Sequence, residues 1–300
     1  MIGEALILLA YAGVGLAMLR RWAPTDSECS YLNLRPDAMA ARYAKEFGQP
    51  FIPRRMPFRL PAEYWLYAWT HRLWVARGAA LVVGGIGVWL TMRYAAHLGG
   101  PTAGLLAGVI VVSSPYTVGM LGTASYVAPV ATLWVGGLYA VETGHPEVAV
   151  ALGAVLALLR ASSWGMAVAL WALAGGGTAL GTAALVVGYV GAYHWPVIRA
   201  QGWVRLLLRE PCPVQGIPQD GWGYAARIAA TRFESWAGWA LGAAVIGAYH
   251  PPALRLLVLT ALVFVLTHAP RALIRPKWVL GYVPDFLLPA AVGLAVLLAR

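Results

Sequence analysis

Charge is what this chain has least of. Charged residues fill 11% of its 300 positions and hydrophobic ones 60%, whereas a soluble domain is about a quarter charged. Mean hydropathy is +0.67. A soluble globular domain is excluded, and apolar runs recur from end to end. Cysteine is nearly absent: Cys29 and Cys212 are the only two, which excludes a disulfide framework and leaves one pair that sequence alone does not decide. The six histidines, His71, His97, His145, His194, His250 and His268, are scattered. None makes the i, i+4 pair or the Cys/His cluster that a metal motif needs, so capping or snorkelling at helix ends is their expected role. The glycine runs "GGIG" and "AGGGT" are not followed by the lysine of a phosphate-binding loop. They read as packing or turns. No repeat and no low-complexity tract is visible. The first apolar run, 2–19, has neither a basic leader nor a small-residue cleavage site, so it reads as a retained membrane helix.

What is there is an all-α polytopic membrane protein. The expected spans, about ten at roughly 20 residues each, lie near 2–19, 77–95, 103–121, 126–141, 147–160, 162–174, 178–196, 236–250, 253–268 and 282–299. The pieces at 147–160 and 162–174 are short for separate spans. "GGPTAG", "ETGHPE", "GGGT" and "YHPPALR" mark tight connections, and the abundant Gly and Ala suit close helix packing. The whole chain, 1–300, reads as one transmembrane domain with two long connections, 20–76 and 197–235. An even number of expected spans separates them, so both fall on one face, together with 269–281. That topology places all of the 22 Lys and Arg there except Arg93, Arg255 and Arg300. The net charge of +10 then points to anionic lipid headgroups or phosphates and away from nucleic acid. Cys29 and Cys212 share that face and are a candidate pair.

The first long loop holds Asp26, Glu28, Asp37, Glu46 and Glu63. "DAMAARYAKEFG" has the pattern of an interfacial amphipathic helix, with Asp37 near its start and Gly48 to close it. "PFRLPAEYWLYAWTHRLW", 57–74, predicts a second interfacial helix whose Trp and Tyr rings sit at headgroup level. The run "GWVRLLLRE" in the second loop has helical spacing and reads as another.

This order of elements resembles the GT-C superfamily of membrane glycosyltransferases, most closely the branch of aminoarabinose-lipid A and protein O-mannosyl transferases. In that branch a Gly-x-x-x-x-Pro-Arg turn precedes a Lys-Pro-Pro-Leu-x-Tyr-Trp-Leu element. Here Gly48, Pro53 and Arg54 match the turn, and "RLPAEYWL", 59–66, matches the element with Arg59 for the lysine. "ARGAALVVGGIGVWLTMRYAAHLGG" is similar to the family's second span, "VSSPYTVGMLGTASYVAPVATLWVGGLYA" to its third-to-fourth hairpin, and "RPKWVLGYVPDFLLPAAVGLAVLL" to its closing helix. The resemblance covers most of 1–145 and the last 30 residues.

The resemblance implies inverting transfer of a sugar from a polyprenyl-phosphate donor at the membrane boundary, beneath an aromatic helix that roofs the cavity. The family keeps an Asp-Glu just after its first span, followed by Tyr. Asp26 is accordingly the candidate catalytic carboxylate, with Glu28 beside it and Asp37 as the runner-up, and Tyr31 takes the tyrosine's place. A carboxylate would activate the acceptor or hold a metal, and positive charge would stabilise the departing phosphate. Arg59, Arg275 and Lys277 are the candidate phosphate contacts, with Tyr64 and Tyr282 as further substrate-binding residues. Two positions depart from the family: the hairpin segment "GTASYVAP" has no acid, and the acid preceding the Lys-Pro-Pro element, a metal ligand in some relatives, is Phe58 here. No cofactor is assigned, although a divalent metal stays open. Expected partners are the sugar lipid and membrane lipids, with no nucleic acid. The resemblance implies a prokaryotic inner or plasma membrane with the long loops extracytoplasmic, although a basic face ordinarily stays in the cytoplasm. The alternative is an inactive GT-C-like scaffold subunit bound to protein partners in a larger membrane complex.

Overall fold

The computed structural model describes residues 2–25, 28–29, 32, 66–67, 69–159, 163–189, 192 and 283–299. Among these residues every regular element is a helix. In chain order they are α1 (Ile2–Arg21), α2 (Leu73–Val112), α3 (Pro115–Gly122), α4 (Val127–Glu142), α5 (Pro146–Leu159), α6 (Trp164–Ala174), α7 (Gly176–Tyr189) and α8 (Val283–Leu298). α1 and α2 are long and apolar enough to cross a membrane, and α3 with α4 makes a third candidate if the bent pair is one span. The expected segments 236–250 and 253–268 lie outside the described residues.

α2 is two helical halves joined at a kink. Gly100 has φ +83° and is followed by Pro101. The left-handed φ is open to glycine at little cost, and proline supplies no N–H to continue the helix. The chain reverses here, at the "GGPTAG" signal. A Cβ at Gly104 would lie 2.8 Å from the Met92 carbonyl oxygen, and one at Gly108 2.6 Å from Met92 Sδ. The two halves of α2 therefore lie antiparallel with almost no side chain between them.

The next expected span, 103–121, is interrupted at Ser113 and Ser114. Ser114 caps α3, its Oγ accepting from Thr117 N at 3.4 Å, and Pro115 follows at the first helical position, where its missing N–H costs nothing. Between α3 and α4 the chain bends by 105° through Thr123–Tyr126. α5 and α6 have 14 and 11 residues. At about 1.5 Å per residue they reach only about 21 and 17 Å, short of the roughly 30 Å hydrocarbon core.

The core is built from small residues against large ones. Gly87 of α2 meets Leu288 of α8 and Thr132 of α4, and the Thr132 hydroxyl donates to the Val83 carbonyl at 2.9 Å. Gly99 abuts Val296, and Gly137 of α4 receives Leu170 of α6. The Trp171 indole N–H donates to the Val150 carbonyl at 3.1 Å, tying α6 to α5. α1 is peripheral: Tyr11, Gly15 and Leu19 face inward, while Ile2, Leu6 and Leu9 are exposed. In lipid that is the expected state of an outer helix.

One expectation is corrected. The interfacial helix read over 57–74 does not run through its final third. Leu66, Tyr67 and Trp69 lie in turns, Arg72 is extended, and α2 begins at Leu73. Local bonds compete with the helix here: the Trp69 indole N–H donates to the Leu66 carbonyl at 3.1 Å, and Arg72 N donates to Thr70 Oγ1 at 3.1 Å.

Candidate boundary site at the base of the first long loop

The first loop leaves α1 through Trp22–Thr25 and at once forms a capping box. Thr25 Oγ1 accepts from Glu28 N at 3.2 Å, and Glu28 Oε2 accepts from Thr25 N at 2.8 Å. This reciprocal pair is what Thr and Glu three residues apart provide at a helix start. Cys29 N and Leu32 N then donate to the carbonyls of Thr25 and Glu28, so the chain makes a helical turn.

The turn carries Glu28 into the bundle, where Arg77 from the first turns of α2 meets it. Arg77 Nε donates to Glu28 Oε1 at 2.8 Å and Nη2 donates to Oε2 at 2.9 Å. Both side chains are essentially inaccessible, at 1% and 0% exposure. Ala124 N, in the bend between α3 and α4, donates to Glu28 Oε1 at 3.0 Å. One carboxylate thus accepts four hydrogen bonds from three segments. The remaining guanidinium protons cap the end of α1: Nη1 donates to the Leu19 carbonyl at 2.8 Å, and Nη1 and Nη2 reach the Trp22 carbonyl at 3.3 and 3.4 Å. The Leu19 carbonyl is among the last four of α1, which have no partner within the helix. The Trp74 ring lies 5.3 Å from the guanidinium carbon, a cation–π distance.

Burial by itself raises the Glu28 pKa. The hydrogen bonds from Arg77, Thr25 and Ala124 and the charge of Arg77 outweigh it and hold the carboxyl below its ordinary range. Tyr67 is buried beside this group, and its hydroxyl donates to the Ser125 carbonyl at 3.1 Å. Burial first, and then the Glu28 charge, push its pKa above the usual phenol range. The bend below is satisfied by hydroxyls. Thr123 Oγ1 donates to the Met120 carbonyl at 2.7 Å and lies 3.0 Å from Ser125 Oγ, which accepts from Val127 N at 3.3 Å. Trp22 closes one side. It packs 5.8 Å from the Tyr116 ring and lies against Gly119, where a Cβ would fall 2.7 Å from its indole.

Of the candidate site residues, Glu28 is the one the structure describes. Asp26, Tyr31, Asp37, Arg59, Tyr64, Arg275, Lys277 and Tyr282 lie outside the described residues. Cys29 is buried, and Cys212, its candidate partner, is outside them as well. Among the described residues no group of three His, Cys, Asp or Glu side chains comes together. Arg77 is the residue that sequence reading missed. Its signal was present: an arginine opening an apolar run is costly unless paired, and acids are few in this chain.

A second feature lies lower on the bundle. Leu8, Tyr11 and Ala12 of α1 and Leu81, Gly85, Ile86 and Trp89 of α2 line an open apolar groove of about 370 Å³. Comparisons of this chain with family models, with curated proteins and with solved structures found no match.

Proposed function

We propose that this chain is a membrane glycosyltransferase of about ten spans that takes a sugar from a polyprenyl-phosphate donor and transfers it at the membrane boundary with inversion. The observation that carries the reading is the anchored base of the first loop. In the resemblance drawn from sequence, the acids after the first span work at the lipid–water boundary. Here the Glu28–Arg77 pair seats that segment on the ends of α1 and α2 and on the α3–α4 bend. A loop so fixed can hold a neighbouring carboxylate in one place, which is what acceptor activation requires. In this division of roles Glu28 positions the segment. Asp26 acts on the acceptor, with Asp37 as the next candidate, and Arg59, Arg275 and Lys277 with Tyr31, Tyr64 and Tyr282 contact the donor. The long loops are extracytoplasmic.

The test is turnover by the purified chain in lipid discs with a polyprenyl-phosphate sugar and a set of acceptors, read as release of polyprenyl phosphate. Asp26→Asn should abolish release while leaving the melting temperature unchanged. Full activity in that variant removes Asp26 from the role and passes it to Asp37.

The second reading, a non-catalytic scaffold subunit in a membrane complex, is favoured by one observation. Glu28 has both oxygens committed, and the bend at Thr123–Tyr126 offers hydroxyls in place of the family's second acid. Co-purification of the chain with stoichiometric partner subunits, together with no donor turnover, would select it.

A further inference from the structure

The described part of the bundle has ends of opposite sign. At the end where the first loop joins, Arg20 and Arg21 close α1 and Arg72 directly precedes α2; all three are exposed. Arg77 binds the carbonyls of Leu19 and Trp22, so the end of α1 is held against the start of α2 and the three arginines share one rim. Arg77 itself is neutralised by Glu28. Among the described residues, Arg20, Arg21 and Arg72 stand without a carboxylate at ion-pair distance. At the other end Glu4 faces Arg93 at 3.7 Å, and Glu142 and Glu147 are exposed.

Two large aromatic rings stand beside the basic rim. Trp69 and Trp74 are 60% and 52% exposed, although Trp74 also contributes the ring face near Arg77. Below them the shafts of both helices present exposed apolar residues, Leu16 on α1 and Val75 and Val82 on α2. Cationic side chains, then indoles, then an apolar shaft is the order of chemistry across half of a lipid leaflet. A guanidinium fork suits a phosphate diester through paired hydrogen bonds.

We propose that Arg20, Arg21 and Arg72, flanked by Trp69 and Trp74, form a docking surface for the phosphate headgroups of anionic phospholipid, whose chains lie along α1 and α2. The contact stands whether or not the chain transfers a sugar. Each arginine at such a surface contributes about a five-fold preference for anionic over zwitterionic lipid, and the preference weakens as salt screens it.

The experiment is native mass spectrometry of the full chain released from detergent with equal phosphatidylglycerol and phosphatidylcholine, at low and at high salt. Phosphatidylglycerol should be retained on the order of a hundred-fold over phosphatidylcholine at low salt. Arg20→Gln, Arg21→Gln and Arg72→Gln should each cut that ratio about five-fold, and together bring it near one. Arg93→Gln, at the opposite end, should leave it unchanged. The single variants keep the test decisive if the triple variant does not fold. Equal retention of the two lipids overturns the proposal, as does a ratio untouched by the three substitutions. Displacement of phosphatidylglycerol by an equal concentration of inorganic phosphate would reassign the rim to a free anion and also overturn it.

Discussion

Replacing Arg77 with methionine removes the guanidinium while keeping most of the stem. Glu28 would then sit fully buried with two backbone donors, Thr25 N and Ala124 N, in place of four hydrogen bonds, and the Leu19 carbonyl would lose its partner. Breaking one side of a buried ion pair typically costs about 3–5 kcal/mol, which in a chain of this size corresponds to a fall in melting temperature on the order of 10 °C. The pH dependence is the sharper signature. In the parent protein the folded pKa of Glu28 is lowered, so its stabilisation is present above the ordinary carboxyl range and is lost as pH falls through the folded value. In Arg77→Met, burial is no longer opposed by the guanidinium, and the folded pKa should rise above the unfolded one. That contribution is fully present below the unfolded pKa and is lost as pH rises. Between about pH 3 and 7 the parent should therefore lose stability only on the acid side of the ordinary carboxyl pKa, and the variant only as pH rises above it. The assay is tryptophan-fluorescence melting in detergent across that range, with Glu28→Gln as the control that has no titrating group at the position. Parallel slopes, with melting temperatures within about 2 °C at pH 7, would refute the argument that this pair holds the loop base.

Other outcomes follow from the same contacts. Gly100→Ala meets no neighbouring atom but forces an L residue to φ +83°, so it should lose about 1–2 kcal/mol from backbone strain alone; denaturation within error of the parent would contradict that. Gly122→Ala places its Cβ 2.7 Å from Leu19 and 2.8 Å from Leu81 and should cost about 1–3 kcal/mol through overpacking, whereas Gly181→Ala, with open space around it, should be neutral or slightly stabilising. Tyr67→Phe strands the buried Ser125 carbonyl and should cost about 1 kcal/mol, visible as faster hydrogen exchange at the α3–α4 bend. Sidedness is testable with Ala23→Cys, an exposed position, in a chain whose Cys29 and Cys212 are serine. Labelling in intact cells by an impermeant maleimide is expected if the loops are extracytoplasmic, and labelling only after lysis would reverse that orientation. Cys29 itself is too buried for this purpose.

Much of the helix order was legible because apolar runs and their Gly and Pro punctuation are local signals. The reversal at Gly99–Pro101 and the starts of α4 and α5 lie within about two residues of their expected positions, an ordinary margin for element ends. The break at Ser113–Ser114 was not seen, because hydropathy does not register two serines inside an apolar run. The turn at 66–72 was misread as helix for a related reason: its aromatic spacing is helical, but Thr70 and Trp69 spend their polar atoms on nearby backbone. At the candidate site, Glu28 was picked out by its place after the first span. Its partner Arg77 is 49 residues away and Ala124 is 96 away, and no local pattern links them. Such a node depends on how three helix ends converge, which one sequence does not display.

The same separation sets an order of events during synthesis. When Glu28 is made, the arginine that neutralises it does not yet exist, and the backbone N–H that completes its seat is a further 47 residues beyond Arg77. At about 5–20 residues per second, α1 and the first loop wait on the order of 5–20 s before the last donor arrives. During that interval the acid is hydrated and the carbonyls at the end of α1 are open to water. The seat of Glu28 is therefore complete only when the bend before α4 has emerged.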